Sequence, residues 1–173
     1  MKSYLSLIDT KTSGNRCDVT PLFADADSFR EMVSDLAEPF LNSGIDFVAC
    51  IDALGFIIGA AVTQHLGAGL IPIRKGGKLP VETDSVEFTD YSGKVKHLEI
   101  RKDILPQKAR VLLIDEWIET GAQIKAAAAL IESQGSIVSG IATINIDLNE
   151  KTSILREKYK IHSLREENEP YDG

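Results

Sequence analysis

Two adjacent carboxylates, Asp115 and Glu116, follow the apolar run Val111-Leu112-Leu113-Ile114 and precede Trp117-Ile118-Glu119-Thr120-Gly121-Ala122-Gln123. The four apolar residues read as a buried strand. Acids at the carboxyl end of such a strand stand where open α/β sheets bind their ligands. There they can hold ribose hydroxyls. Through water or substrate oxygens they can also hold a hydrated magnesium ion, which prefers a few carboxylates plus substrate oxygens. Thr120, Gly121, Ala122 and Gln123 then turn into a helix predicted over Ile124 to Gln134. The free N–H groups and positive dipole end of a helix start suit a phosphate. Glu119 sits just before that cradle and brings negative charge to it. The arrangement suits a sugar phosphate.

A second group of residues has the opposite charge. Arg74, Lys75 and Lys78 cluster with Gly76, Gly77 and Pro80 after the strand predicted at Leu70 to Ile73. The glycines let backbone approach a ligand, and the cations suit a diphosphate. Asp52 and Ala53 form a turn after the apolar run Phe47 to Ile51. Trp117 is the only tryptophan. It fits a base-stacking role and a packing role equally well. His65, His97 and His162 are scattered, without ligand spacing to a cysteine or an acid, and receive no metal or catalytic role.

Strands alternating with helices must position these groups. A short strand or turn is expected at Asp18 to Phe23. A helix is predicted over about Phe29 to Leu41, capped by Asp27 or Ser28. The strand Phe47 to Ile51 is followed by a helix over Phe56 to Leu66. Two strand pieces near Val86 to Phe88 and Val95 to Ile100, joined by Tyr91-Ser92-Gly93-Lys94, read as a flap hairpin within 81–97. A strand over Ile137 to Ile146, a short helix over Thr152 to Tyr159 and a fraying tail from Glu166 complete the chain. The pattern predicts one domain over 1–173, with a small N-terminal arm or hood at 1–20. Its fold class is α/β, a doubly wound and mostly parallel sheet. Right-handed crossovers bring the Asp52 turn, the basic loop and the Asp115 segment to one edge.

Composition narrows the function classes. A net charge of −7 over 173 residues disfavours general nucleic-acid binding, because the phosphate backbone would be repelled. The apolar run Phe56 to Val62 is too short to span a bilayer, so no membrane association is expected. Lys2 is followed by no long apolar region, so no secretory signal is expected. Cys17 and Cys50 form neither a metal spacing nor a disulfide framework, which predicts a reduced, cytoplasmic setting.

From about Asp18 to Asp147 the chain resembles the type I phosphoribosyltransferases, in their adenine branch. Four segments carry the resemblance beside Val111 to Gln123: Asp18-Val19-Thr20-Pro21-Leu22; Gly55-Phe56-Ile57-Ile58-Gly59 with Leu66-Gly67-Ala68-Gly69; Leu70 to Pro80; and Leu98-Glu99-Ile100-Arg101-Lys102-Asp103. The resemblance implies transfer of phosphoribosyl from phosphoribosyl diphosphate to a purine or related base, with magnesium and release of diphosphate. It implies Asp115 and Glu116 at the ribose hydroxyls, with the metal held indirectly. It implies Glu119, Thr120, Gly121, Ala122 and Gln123 around the 5′-phosphate. Arg74, Lys75, Lys78 and the Asp52-Ala53 backbone would face the diphosphate, and residues 81–97 would form a closing flap. A homodimer is common in the resembled family.

The chain also departs from the family pattern. Glu116 stands for a second aspartate, and Ala122 and Gln123 stand for glycine and threonine. Leu54 replaces an arginine, Arg16-Cys17-Asp18 replaces Phe-Arg-Asp, and Asp90-Tyr91-Ser92-Gly93 replaces Glu-Tyr-Gly. These departures admit a second reading, a non-catalytic relative that senses a ligand or binds a partner.

Overall fold

A computed structural model describes residues 2–12, 17–90 and 92–167. Seven strands form one sheet: β1 Phe47–Ile51, β2 Gly69–Lys75, β3 Thr83–Thr89, β4 Val95–Arg101, β5 Arg110–Ile118, β6 Ile137–Asp147 and β7 Ile161–Glu167. Their order is β3-β4-β2-β1-β5-β6-β7. All pairings from β2 through β7 by way of β1, β5 and β6 are parallel. The β3–β4 hairpin joins β2 antiparallel, through Arg74 opposite Glu99 and Lys75 opposite Leu98. The expected doubly wound, mostly parallel sheet is the one observed.

Among the described residues five α-helices cover the sheet: α1 Thr20–Ala24, α2 Ala26–Ala37, α3 Leu54–Leu66, α4 Ala122–Ser133 and α5 Glu150–Lys158. On one face, Met32 and Leu36 of α2 and Ile58 and Val62 of α3 pack on Val48, Leu112 and Ile114. On the other, Ile124, Ala127 and Ile131 of α4 and Leu155 of α5 pack with Ala49, Ile51, Ile73, Leu98 and Leu113. Alternate residues of β1 and β5 thus feed opposite cores, which is why both strands read as unbroken apolar runs. Gly59 permits close approach of α3 to β1, because a Cβ there would stand 2.5 Å from the Cys50 Cβ. Among the described residues no helix is long and apolar enough to cross a membrane.

Several sequence expectations need correction. Asp18 to Phe23 is not a strand: Asp18 makes one bridge to Asp9, and Thr20 opens α1. The cap of α2 is Asp25, whose carboxylate accepts from the Ser28 N–H at 2.8 Å, rather than Asp27 or Ser28. Its α-helix ends at Ala37, followed by a single 3-10 turn, Glu38–Phe40, that holds Pro39. The residue before a proline is biased away from helix. Arg74 and Lys75 lie within β2 rather than in a loop. β5 does not end at Ile114 but runs to Ile118, because β6 continues to pair with it up to Ile118 opposite Ile146. Glu166 is not in a frayed tail: it lies in β7, a polar strand that pairs only with β6. Arg16, Tyr91 and the tail 168–173 lie outside the described residues.

The N-terminal arm is packed. Its 3-10 turn, Ser3–Leu7, buries Tyr4 and Leu5, and with Ile8 they join the core beneath α2. The Tyr4 hydroxyl donates to Asp35 Oδ2 at 2.6 Å, and Lys2 pairs with the same carboxylate at 2.5 Å.

Candidate active site

A cavity of about 260 Å³ opens at the carboxyl ends of β1 and β5. Its wall brings together Asp52, Ala53, Lys75, Asp115, Glu116, Glu119, Thr120, Gly121, Ala122 and Gln123. These residues come from four segments and are separated by up to 71 positions in sequence.

Asp115 sits on β5 and is 1% exposed. Its Oδ1 accepts the Glu116 N–H at 3.0 Å, and its Oδ2 accepts the Gln123 side-chain N–H at 2.7 Å. Burial, with the Glu116 carboxylate beside it, pushes its pKa well above the ordinary carboxylate range, and the Gln123 donor opposes that rise. Glu116 and Glu119 are half-buried in the same wall.

The turn after β5 is built to leave N–H groups available. Gly121 has φ +71°, a left-handed conformation that only glycine adopts cheaply, and it serves as the N-cap of α4. Gly121 has no side chain with which to cap this helix. The Thr120 hydroxyl accepts from the Ala122 N–H at 3.4 Å. Asn149 donates to the Glu119 carbonyl at 2.8 Å and ties the turn to the start of α5. A helix start with no capping side chain, facing a cavity, has the geometry of an anion site.

The cations divide. Lys75 lines the cavity. Arg74 stands on the alternate position of β2; its Nε lies 3.7 Å from Oδ2 of the wall residue Asp52, and a terminal N–H donates to the Lys78 carbonyl at 3.3 Å. That buried Nε has no hydrogen-bond partner among the described residues. Neither Arg74 nor Lys78 is among the described lining residues. The Asp52–Ala53 peptide bond is cis.

Sequence reasoning placed the hairpin near the site as a flap but did not name its wall residues, and it missed two further features. The β3–β4 hairpin lends Phe88, Asp90 and Lys96 to the cavity wall. The Lys96 ammonium meets Asp90 at 2.7 Å and, with the Ser92 hydroxyl, holds that carboxyl well below its usual range. The first of these is Glu99, a buried carboxylate that accepts from the N–H groups of Gly77, Lys78 and Leu79 at 2.9, 2.6 and 2.7 Å. Burial pulls its pKa upward, but the three donors and Arg74 outweigh this and hold it below the usual value. Glu99 thereby fixes the shape of the basic loop. The second is the Gln123 to Asp115 bond itself, made across eight positions. The one sequence signal for Glu99 was an acid set between Leu98 and Ile100 in a strand; the Gln123 to Asp115 bond has no local mark.

A parallel sheet whose central strand carries paired acids into an uncapped helix start, with lysines from a neighbouring strand and hairpin, defines the class: a type I phosphoribosyltransferase. No family model matches the chain. It is 43% identical over 151 residues to the adenine phosphoribosyltransferase of Chlorobium luteolum, covering 85% of each chain. Solved structures agree. The adenine phosphoribosyltransferase of Thermoanaerobacter pseudethanolicus superposes with a TM-score of 0.86 at 34% identity, over 94% of this chain and 97% of that one. That of Rhodothermus marinus gives 0.85 at 28% identity, over 94% and 96%. The chain belongs to the adenine phosphoribosyltransferase family, and hence to the glycosyltransferases. Membership favours the enzyme over the ligand-sensor reading.

Proposed function

We propose that the chain transfers the phosphoribosyl group of phosphoribosyl diphosphate to a purine base, adenine first among them, and releases diphosphate. The observation that supports this most is a single cavity joining paired acids, an uncapped helix start and Lys75. In this reading Asp115 and Glu116 receive the ribose hydroxyls. Thr120, Gly121, Ala122 and Gln123 hold the 5′-phosphate, with Glu119 at its edge. Lys75, Lys78, Arg74 and the Asp52-Ala53 backbone meet the diphosphate. Arg74 would have to reach the diphosphate past Asp52, whose Oδ2 lies 3.7 Å from its Nε.

The bond from C1′ to the diphosphate oxygen breaks with its electron pair leaving on oxygen, and a base nitrogen donates its lone pair to C1′. Positive charge grows on the ribose ring and negative charge on the leaving group. Fixed cations at the latter and exclusion of water are the protein's contribution. The hood at 1–20 and the hairpin at 81–97 are the parts of this one domain that would close over the ligands.

Magnesium fits the donor set as an ion shared with the substrate. Among the described residues no cluster of three or more acids, histidines or cysteines could hold an ion alone, whereas Asp115 and Glu116 offer one or two carboxylates of the kind it accepts beside substrate oxygens. When bound, it would neutralise diphosphate charge.

Calorimetry with phosphoribosyl diphosphate and magnesium, followed by a diphosphate-release assay across purines and pyrimidines, tests the reading. Binding and turnover on a purine are expected; no binding at millimolar ligand would sink it. We also infer a cytoplasmic setting, from the free thiols of Cys17 and Cys50, and a homodimer. Ile57 of α3 and Leu70 of β2 are exposed apolar side chains of the kind a second copy would cover. Sedimentation equilibrium at micromolar protein is expected to return twice the 18.9 kDa chain mass, and a monomer at that concentration removes the dimer.

A further inference from the structure

Gln134 is the C-cap of α4 and is 8% exposed. Its side-chain amide is fully engaged. Oε1 accepts the Leu105 N–H at 3.1 Å, and Nε2 donates to Asp84 Oδ2 at 2.8 Å and to the Arg101 carbonyl at 2.9 Å. Its own carbonyl accepts from the Gln107 side chain at 2.9 Å. Both N–H donors of the amide meet oxygens and its oxygen meets an N–H, so the orientation of the group is fixed. Asp84 lies near the start of β3, and Arg101 ends β4. Gln134 thus grips both strands of the hairpin at its root, the end away from the turn at Asp90 to Lys94.

The sheet itself holds the hairpin lightly. β3 is an edge strand, and β4 joins β2 through two register pairs, Arg74 with Glu99 and Lys75 with Leu98. Val86 and Phe88 add apolar contact with the core that α4 helps to build. α4 therefore bears on two parts of the cavity. Its N-terminus carries the Gly121 turn, and Gln134 stands about 20 Å away at the other end.

Distance from the root supplies leverage. Phe88 is four residues along β3 from Asp84, about 13 Å. Over that length a rotation of about 10° at the root displaces Phe88 by about 2 Å. Lys96, the register partner of Phe88, and Asp90 also line the cavity and move with it. A misplacement of about 1 Å can cost about two orders of magnitude in rate.

Resting on the phosphoribosyltransferase reading, we propose that Gln134 is a positioning residue for the reaction. By fixing the hairpin root on α4, it sets Phe88, Asp90 and Lys96 against the helix start that holds the 5′-phosphate. It lies outside the described cavity wall and acts through the hairpin.

Gln134→Leu keeps most of the bulk and removes the three side-chain bonds. Assayed well below its melting temperature, it is expected to lower kcat about tenfold or more and to change the KM for phosphoribosyl diphosphate by less than about threefold. Hydrogen exchange is expected to quicken in β3 and β4 and to stay unchanged in β5. Asp84→Asn keeps an acceptor oxygen for Nε2 and is expected to hold kcat within about twofold, whereas Asp84→Ala loses part of it. A Gln134→Leu protein with unaltered kcat overturns the proposal, as does a loss of kcat with unaltered exchange in the hairpin. Should Gln134→Leu fail to fold, the two Asp84 variants decide, and equal kcat in both overturns it. Failure of the unaltered protein to bind phosphoribosyl diphosphate would instead strike the underlying reading, and calorimetry detects that separately.

Discussion

Replacing Asp115 with asparagine lowers kcat/KM for phosphoribosyl diphosphate by about two to three orders of magnitude while raising thermal stability. The activity loss follows from position: Asp115 is the buried acid of the cavity, one residue past the last pairing of β5 with β1. The stability gain follows from linkage. A group whose folded pKa is raised above its unfolded value lowers stability wherever the unfolded chain would ionise it, which includes neutral pH. Asp115 is such a group, desolvated and beside Glu116. The neutral amide keeps its shape and leaves Gln123 a partner oxygen. Steady-state kinetics with calorimetric melting at neutral pH checks both halves. Activity within threefold of the unaltered enzyme removes Asp115 from the ribose role, and a lowered melting temperature removes the linkage argument.

Replacing Glu99 with alanine destabilises the protein by about 3 kcal/mol and raises the KM for phosphoribosyl diphosphate at least tenfold. Three backbone N–H groups, of Gly77, Lys78 and Leu79, lose their acceptor at once, and the loop between β2 and β3 loses the anion around which it is wrapped. Hydrogen bonds to a charged acceptor contribute about 1.5–3 kcal/mol each, and water recovers part of that on an outer loop. The pH dependence has a definite sign. The Glu99 pKa is depressed in the folded protein, so its contribution is complete above the unfolded value of about 4.3 and is lost as pH falls through the folded value. Urea titrations at pH 7 and at pH 3 should show the variant's deficit shrinking at the lower pH. A deficit that is equal at both refutes the anionic role.

How much of this was legible in the sequence depended on where the physical cause lay. β1 was bounded to the residue, because its apolar run is buried on both faces and flanked by turn residues. Asp115, Glu116, Thr120, Gly121 and Lys75 converge because parallel strands with right-handed crossovers place all their carboxyl ends on one edge. β5 was cut short because Asp115, Glu116 and Glu119 read as a solvated loop, whereas pairing with β6 carries the strand through the first two. β7 was missed since Ile161–Glu167 is largely polar, and an edge strand is held by backbone pairing rather than by an apolar pattern. Arg74 was grouped with Lys75, yet adjacent strand residues face opposite sides of a sheet. Lys96 and Phe88 reach the cavity only because the hairpin joins β2 antiparallel, a tertiary fact with no local mark.

The bond from Gln123 to Asp115 means that the acid expected to receive the ligand already has a donor from its own chain. On the proposed reading, a hydroxyl that takes the direction of that amide at Asp115 Oδ2 replaces one hydrogen bond by another, so the net gain from that contact is small. Recognition of the sugar then discriminates by fit, through ligands unable to replace what they displace, while the strength of attachment falls to the phosphate and diphosphate ends. If Asp115 receives the ribose as proposed, Gln123 is a tethered competitor for that position.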